Sequence, residues 1–221
     1  MSWTNYLPAL LKGAEVTAII AVASMLLGAI FAFAAGLARF AGGRLLSWIA
    51  LVYIEIFRGT SLLVQLFWLY YALPLIGISF DPITTGIAGL ALNIGAYGAE
   101  VVRGALQSVP DTQHEAARAL NFGQGQTLFH IVLPQAVVEM MPPFGNLAVQ
   151  NLKDTALVSL ISISDLTFHA QQLRNITLDS VTIYSLTLIG YFIMALILVV
   201  FMRWLERVLR RGAAFPGRAP A

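Results

Sequence analysis

The chain has 221 residues, of which 58% are hydrophobic and only 11% are charged. Soluble domains carry about 25% charged residues, so this composition indicates an integral membrane protein. The sequence contains no cysteine, which excludes a disulfide framework, a thiolate nucleophile and a cysteine-ligated metal. A net charge of +2 is too small to indicate nucleic-acid binding.

Apolar stretches long enough to cross a bilayer recur along the chain. A transmembrane helix needs about 20 mostly apolar residues, and five stretches meet that requirement. They cover about residues 16–37, 48–75, 83–106, 137–163 and 183–205. We therefore predict an all-α, polytopic membrane protein with five transmembrane helices in a single domain, residues 1–221. Residues 212–221 are rich in Gly, Pro and Ala and are predicted to be a disordered tail.

Five spans place the termini on opposite sides of the membrane, and the basic residues indicate which side is which. With the N-terminus outside, the outer segments contain only Lys12 and Arg174. The inner segments then contain Arg39, Arg44, Arg103, Arg118, Arg203, Arg207, Arg210, Arg211 and Arg218. The positive-inside rule predicts this orientation, with the C-terminus in the cytoplasm. Residues 107–133 are then cytoplasmic, and 164–180 form an outer loop.

Three of the predicted spans have internal features. In the first, Gly28, Ala32 and Gly36 recur at four-residue spacing, which fits a seam for close helix packing, although Gly and Ala are common in membrane helices. In the second, Arg58-Gly59-Thr60-Ser61 predicts a helix break whose backbone groups protein or water must satisfy. The fourth span is interrupted by Pro142-Pro143 and by Lys153-Asp154.

Residues 111–130 are too polar to span a bilayer and lie between two segments that do. Asp111 or Thr112 is predicted to cap a helix at its start, and Asn121 can adopt the left-handed conformation that ends one. A second short helix is predicted from Thr127. The pattern alone is equally compatible with a helix lying on lipid and with a helix held by a soluble partner.

The same segment carries a family signature. Glu115-Ala116-Ala117, then after three residues Asn121, then after nine more Ile131-Val132-Leu133-Pro134, resembles the EAA motif of permease subunits in bacterial ABC importers. The family usually has Gly where this chain has Asn121. The resemblance implies that the segment is a coupling helix docking into a groove on an ATPase subunit. The residues implied in coupling are Glu115, Ala116, Ala117, Arg118, Leu120 and Asn121.

Three further blocks resemble the polar amino-acid branch of that family. They are Glu55 with residues 58–65, the Ala96–Gly104 block Ala-Tyr-Gly-Ala-Glu-Val-Val-Arg-Gly, and Lys153-Asp154-Thr155-Ala156-Leu157. The variants Ser61, Asn121 and Ala156 look like the subgroup that imports ectoine and hydroxyectoine, so an ectoine-like zwitterion joins polar amino acids as an expected substrate.

The resemblance implies a fold like that of type I ABC importer permeases, in a bacterial inner membrane. It implies a second permease subunit, identical or related, two ATPase subunits and an extracytoplasmic solute-binding protein, with no cofactor on this chain. A secondary transporter is the alternative, but five spans without an internal repeat and a dedicated cytoplasmic helix argue against it.

Ionisable groups in the membrane are costly unless paired or wetted. Glu55 and Arg58 are three residues apart and are expected to pair on one helix face, as are Glu100 and Arg103. Structural ion pairs are the favoured interpretation, with substrate contact as the alternative.

A second set of polar residues provides candidates for a substrate pathway. A zwitterion needs donors and acceptors around a small wet cavity, although hydrogen bonds between helices are the commoner use of such groups. The candidates are Gln65, Asn93, Asn146, Gln150, Lys153 and Asp154.

Catalytic interpretations fail on the motifs. Neither Lys12 nor Lys153 follows a glycine, so there is no phosphate-binding GxxxxGK[ST] loop. His114-Glu115 lacks the second histidine of a zinc protease helix, since Arg118 stands there. We therefore expect no catalytic residues and no metal site.

Overall fold

The computed structural model describes residues 6–212, whose regular structure is entirely helical. The α-helices are α1 (Leu7–Ala41), α2 (Arg44–Gly59), α3 (Leu62–Phe67), α4 (Pro82–Gln107), α5 (Asp111–Ala119), α6 (Gln124–Thr127), α7 (Leu133–Asp154), α8 (Leu166–Thr177) and α9 (Ser180–Gly212). Short π- or 3₁₀-helical turns cover Trp68–Ala72, Leu73–Ile76, Leu128–Val132 and Thr155–Ile161. The predicted tail lies outside the described residues, apart from Gly212 at the end of α9.

Three helices within residues 6–212 are long and apolar enough to cross a membrane: Leu7–Ala41, Pro82–Gln107 and Ser180–Arg211. Arg44–Gly59 and Leu62–Ile76 together make a fourth candidate, bent by 104° at the break that the sequence predicts. α7 has 22 residues, enough by length to cross a membrane, but its polar side chains make it less apolar than these three helices. The model thus gives three or four candidate spans against the five predicted.

The core of the fold is the parallel packing of α1 on α4, along the small-residue seam predicted for the first span. Ala32 is buried on this seam, and a Cβ added at Gly28 would collide with Ile94. A Cβ at Gly36 would lie 2.9 Å from the carbonyl oxygen of Ala99. These two glycines therefore allow the backbones to approach closely.

Two sequence predictions about the second half of the chain are wrong. Pro142 and Pro143 do not interrupt the fourth span, because both lie on exposed positions inside a continuous α7. The buried residues Met140 and Phe144 hold this helix in the core on either side of them. Residues 164–180 are not a loop, since α8 occupies most of them and packs against α1 and α9.

Candidate coupling segment and polar site

The cytoplasmic segment predicted from residues 111–130 contains two short helices, α5 and α6. α5 begins after Pro110, and neither Asp111 nor Thr112 caps it with a side-chain hydrogen bond, so that prediction is wrong. Pro110 occupies the capping position itself and has no side-chain acceptor to offer. Asp111 in the first turn and Arg118 in the last turn still match the helix macrodipole.

The end of α5 is a left-handed cap. Asn121 has φ of 63°, the conformation that the sequence predicts for it. Its backbone N–H donates to the Arg118 carbonyl at 2.9 Å, and the N–H of Phe122 donates to the Ala117 carbonyl at 3.0 Å. These bonds satisfy carbonyls that the helix end would otherwise leave free. Asn adopts this conformation more readily than most residues, so it can stand where the family pattern has Gly.

The outer surface of this segment combines apolar and charged residues and has no partner in the described chain. Ala116 and Ala119 are exposed, as is Glu115. Leu120 is 69% exposed and Phe129 is 57% exposed. Only Ala117 of the α5 helix is buried, and it faces the body of the protein. The segment therefore presents apolar residues beside the charged Glu115 and Arg118, on a surface open to a partner.

The inner surface of the segment is fixed to the membrane helices on both sides. Val109 before α5 and Val132 after α6 lie in one buried cluster with Leu106 of α4 and Ala136 of α7. Gln135 of α7 donates to the Ile131 carbonyl at 2.9 Å. Packed side chains therefore connect the ends of this segment to α4 and α7.

The break in the second span is closed by Gln65 and Asn93, two of the substrate-path candidates. The Gln65 amide donates to the carbonyl of Phe57 at 2.9 Å and to the hydroxyl of Thr60 at 2.7 Å. The Asn93 amide donates to the same Phe57 carbonyl at 3.0 Å and to the Gln65 Oε1 at 3.1 Å. Both amides thus satisfy backbone that the break frees, which is the structural use of such groups.

Glu55 and Arg58 do not pair, contrary to the prediction. The Arg58 guanidinium instead lies over the ring of Tyr97 on α4, with Cζ 5.3 Å from the ring centroid. The attraction of a cation to an aromatic face fixes the side chain away from Glu55. Within residues 6–212, no carboxylate lies within 4.0 Å of Arg58.

Glu100 and Arg103, at the same spacing on α4, do meet. Arg103 Nη2 lies 2.6 Å from Glu100 Oε2, and its Nε donates to the same oxygen at 3.1 Å. Arg103 Nη1 also donates to Gln107 at 2.9 Å. The carboxylate nearest in sequence to Tyr97 is therefore already occupied.

The remaining candidates for the substrate path, Asn146, Gln150, Lys153 and Asp154, all lie on α7. Asn146, Gln150 and Lys153 are exposed at helical spacing on one face. Asn146 lines a groove of about 250 Å³ between α7 and α9, together with Arg203 and Glu206. Gln150 instead donates to Asp154 Oδ1 at 2.9 Å. The fold does not bring Gln65 and Asn93 into contact with any of these residues.

The sequence predictions do not single out two polar positions that are important to the packing. Asn151, 1% exposed, donates to the Ala21 carbonyl at 3.0 Å and to Ser24 Oγ at 2.9 Å, which joins α7 to α1. Asp165, fully buried, accepts the N–H of Phe168 at 2.8 Å and so caps α8. The capping pattern of Asp165 before an apolar run was the only available signal for the second position.

The comparisons with known proteins agree with this geometry. The chain matches the family model "Binding-protein-dependent transport system inner membrane component" over residues 24–211. The chain belongs to this family. The permease is 50% identical over 217 residues to the "Probable amino-acid ABC transporter permease protein y4tF" of Sinorhizobium fredii (strain NBRC 101917 / NGR234), a match covering 96% of this chain and 91% of that protein.

A second relative and a solved structure agree. The "Glutamine transport system permease protein GlnP" of Escherichia coli (strain K12) is 36% identical over 203 residues, 91% of this chain and 93% of that protein. A solved structure described as a "Crystal structure of an amino acid ABC transporter with histidines" matches with a TM-score of 0.85 at 31% identity. That match covers 92% of this chain and 95% of the other.

Membership of this family indicates which subunit of the transporter this chain is and which functions belong to other subunits. The chain is a multi-pass inner-membrane permease subunit of an ABC importer. ATP hydrolysis belongs to a separate subunit, and a binding protein delivers the solute. The predicted ABC importer permease is confirmed, and the alternative of a secondary transporter is set aside.

Proposed function

We propose that the permease imports a polar amino acid, and that the ATPase subunits drive it through residues 111–130. The substrate class is inferred from relatives named for glutamine and amino-acid transport and from a similar solved transporter described with histidines. The binding protein sets most of the selectivity, because it captures the solute first.

The observation that supports the coupling role is the two-sided character of α5. Its outer surface exposes apolar residues such as Leu120 together with the charged Glu115 and Arg118, and a surface of this mixed kind suits docking in an ATPase groove. Its inner side continues through Val109 and Val132 into α4 and α7. ATP-driven closure of the ATPase pair moves α5, and the attached helices switch the path from inward-open to outward-open.

The topology belongs to the proposal as well. The chain has five spans if α7 crosses the membrane as well as α1, α4, α9 and the bent pair Arg44–Gly59 and Leu62–Ile76. The positive-inside rule then puts the N-terminus outside and α5 in the cytoplasm. A second permease subunit, identical or related, completes the path. The exposed polar face of α7 then lies against that subunit or against water rather than against lipid.

An ectoine-like compatible solute is a second candidate within the same chemical class. Ser61, Asn121 and Ala156, which depart from the amino-acid pattern, favour it. Both candidates are zwitterions, so the same transport mechanism serves either one. Competition between labelled glutamine and unlabelled ectoine for uptake by the reconstituted transporter distinguishes the two.

The coupling role is tested by Glu115→Lys and Arg118→Glu, which reverse charges on exposed positions of α5. In proteoliposomes containing the whole transporter, we expect import to fall by about 10-fold or more while the permease remains inserted in the membrane. Arg210→Glu, at the exposed end of the Glu206–Arg210 pair of α9, is the matched control. Normal import coupled to ATP hydrolysis in both α5 variants would show that the docking role is wrong.

A further inference from the structure

We propose that Glu55 and Arg58 bind the two charged ends of a zwitterionic substrate, Arg58 the carboxylate and Glu55 the ammonium group. We call these two residues the charge clamp. The inference rests on the proposed import of an amino acid or similar zwitterion, and it names the part of the substrate that the permease itself contacts.

The first observation is that these opposite charges are neighbours and yet do not neutralise each other. Residues three apart on a helix have Cβ atoms about 5–6 Å apart, close enough to pair. Glu100 and Arg103 show this on α4, at 2.6 Å. Arg58 is kept from Glu55 by the Tyr97 ring, 5.3 Å from its Cζ. Within residues 6–212, the Glu55 carboxylate has no hydrogen-bond or ion-pair partner.

The second observation is the depth of the clamp. Arg58 is about 21 Å along α2 from Arg44, at 1.5 Å per residue, which takes it well into a hydrocarbon layer about 30 Å thick. The carbonyl of the adjacent Phe57 is bonded by Asn93, near the middle of α4. Arg58 therefore lies at the level of the middle of a spanning helix.

The third observation is exposure. Both Glu55 and Arg58 are exposed in the described chain, and Tyr97 is 40% exposed beside them. Charged side chains at this depth are costly against lipid, so they face a hydrated path or another protein. A path for a zwitterion requires both signs of charge at one place, and the clamp supplies them.

The chemistry of the two groups fits the two ends of an amino acid. A guanidinium presents a planar fork of N–H donors that binds a carboxylate in a bidentate manner. Stacking on Tyr97 orients this fork, and the Gln65 and Asn93 amides fix the backbone at the end of the same helix. The Glu55 carboxylate, about one helical turn from Arg58, accepts hydrogen bonds from the ammonium group of the substrate.

The test measures which end of the ligand each residue recognises. The permease–ATPase complex in lipid nanodiscs, without binding protein, is titrated with L-glutamine, with L-glutamine amide, which lacks the carboxylate, and with glutaramate, which lacks the ammonium group. Wild type is expected to bind glutamine more tightly than either analogue. Arg58→Gln should weaken glutamine binding about 10- to 100-fold while leaving the amide within about 2-fold. Glu55→Gln should weaken glutamine similarly and leave glutaramate unaffected.

The control is the matched pair on α4. Glu100→Gln with Arg103→Gln removes charges at the same helical spacing and should not change the preference for glutamine over its analogues. The clamp is overturned if either clamp variant weakens all three ligands equally, as a structural role predicts. It is also overturned if the variants change nothing, if wild type does not prefer glutamine, or if they dissociate the permease pair.

Uptake by the complete transporter separates the two levels of the argument. If wild type with its binding protein imports no zwitterion, the proposed function fails and the clamp fails with it. If wild type imports glutamine but the clamp variants keep the ligand preference, the clamp alone fails.

Discussion

Asp165 lies in the connection between α7 and α8, outside the spanning helices, and no part of its side chain is exposed. It accepts the Phe168 N–H at 2.8 Å and the Tyr191 hydroxyl at 3.3 Å. Burial nevertheless raises the pKa of Asp165 from 3.8 to about 6, since the hydrogen bonds compensate desolvation only in part. The folded protein therefore holds this proton more tightly than the unfolded chain does.

The Asp165→Asn substitution gives a prediction about pH. Because the pKa of Asp165 is raised in the folded state, its contribution to the stability of the wild-type protein is fully present below pH 3.8. This contribution is lost as the pH rises through about 6. In thermal unfolding of the purified permease, we expect the Tm of wild type to fall relative to that of Asp165→Asn as the pH rises over this range. Asp81→Asn is the control of opposite sign, because hydrogen bonds from Thr84 lower the pKa of Asp81. A difference independent of pH in the Asp165 variant would contradict the account.

Single residues differ in how far the sequence predicts them. The left-handed Asn121 is predictable, because backbone sterics at a helix end are local. The separation of Glu55 from Arg58 is not predictable, because the competing partner of Arg58 is Tyr97. Tyr97 lies on another helix, α4, 39 residues further along the chain. Asn151 is likewise unmarked, since its acceptors lie on α1.

At the scale of helices, the α1–α4 seam gives a prediction about Gly36. Gly36→Ala places a Cβ 2.6 Å from the Val102 Cβ and 2.9 Å from the Ala99 carbonyl oxygen, so the backbones must move apart. We expect this substitution to lower the free energy of unfolding by about 1–3 kcal/mol. Gly104→Ala on α4, with nothing within 4 Å of the added Cβ, should be neutral or stabilising. Equal melting temperatures for the two variants would show that the seam is loosely packed.

The helices themselves are partly predictable from the sequence. The break after Gly59 follows from local residues, and the structure has it there. The length of α1, Leu7–Ala41, exceeds the predicted span 16–37 because helix extends beyond the apolar stretch. α8 was missed because its mixed polarity is typical of a loop, whereas burial of Leu166 and Ala170 against neighbouring helices stabilises it.

At the scale of the whole molecule, the permease is a packed set of helices moved from one side. In the proposed mechanism α5 is the exposed contact, the buried cluster of Val109, Leu106 and Val132 connects it to α4 and α7, and these two helices move with it. The clamp on α2 lies against α4 through Tyr97, so movement of α4 changes its surroundings. Coupling between nucleotide and substrate is then an equilibrium between two packed arrangements.

The most direct measurement is site-specific cross-linking from Leu120, at the exposed end of α5. The chain has no cysteine, so Leu120→Cys introduces a single thiol. We expect a short bifunctional reagent to join this residue to the ATPase subunit in membranes, with a yield that changes when ATP is added. Leu178→Cys, 78% exposed beyond α8, is the control and should react only from the opposite side of the membrane. A Leu120→Cys thiol labelled from the periplasmic side, or joined to no ATPase in an active transporter, would contradict the account.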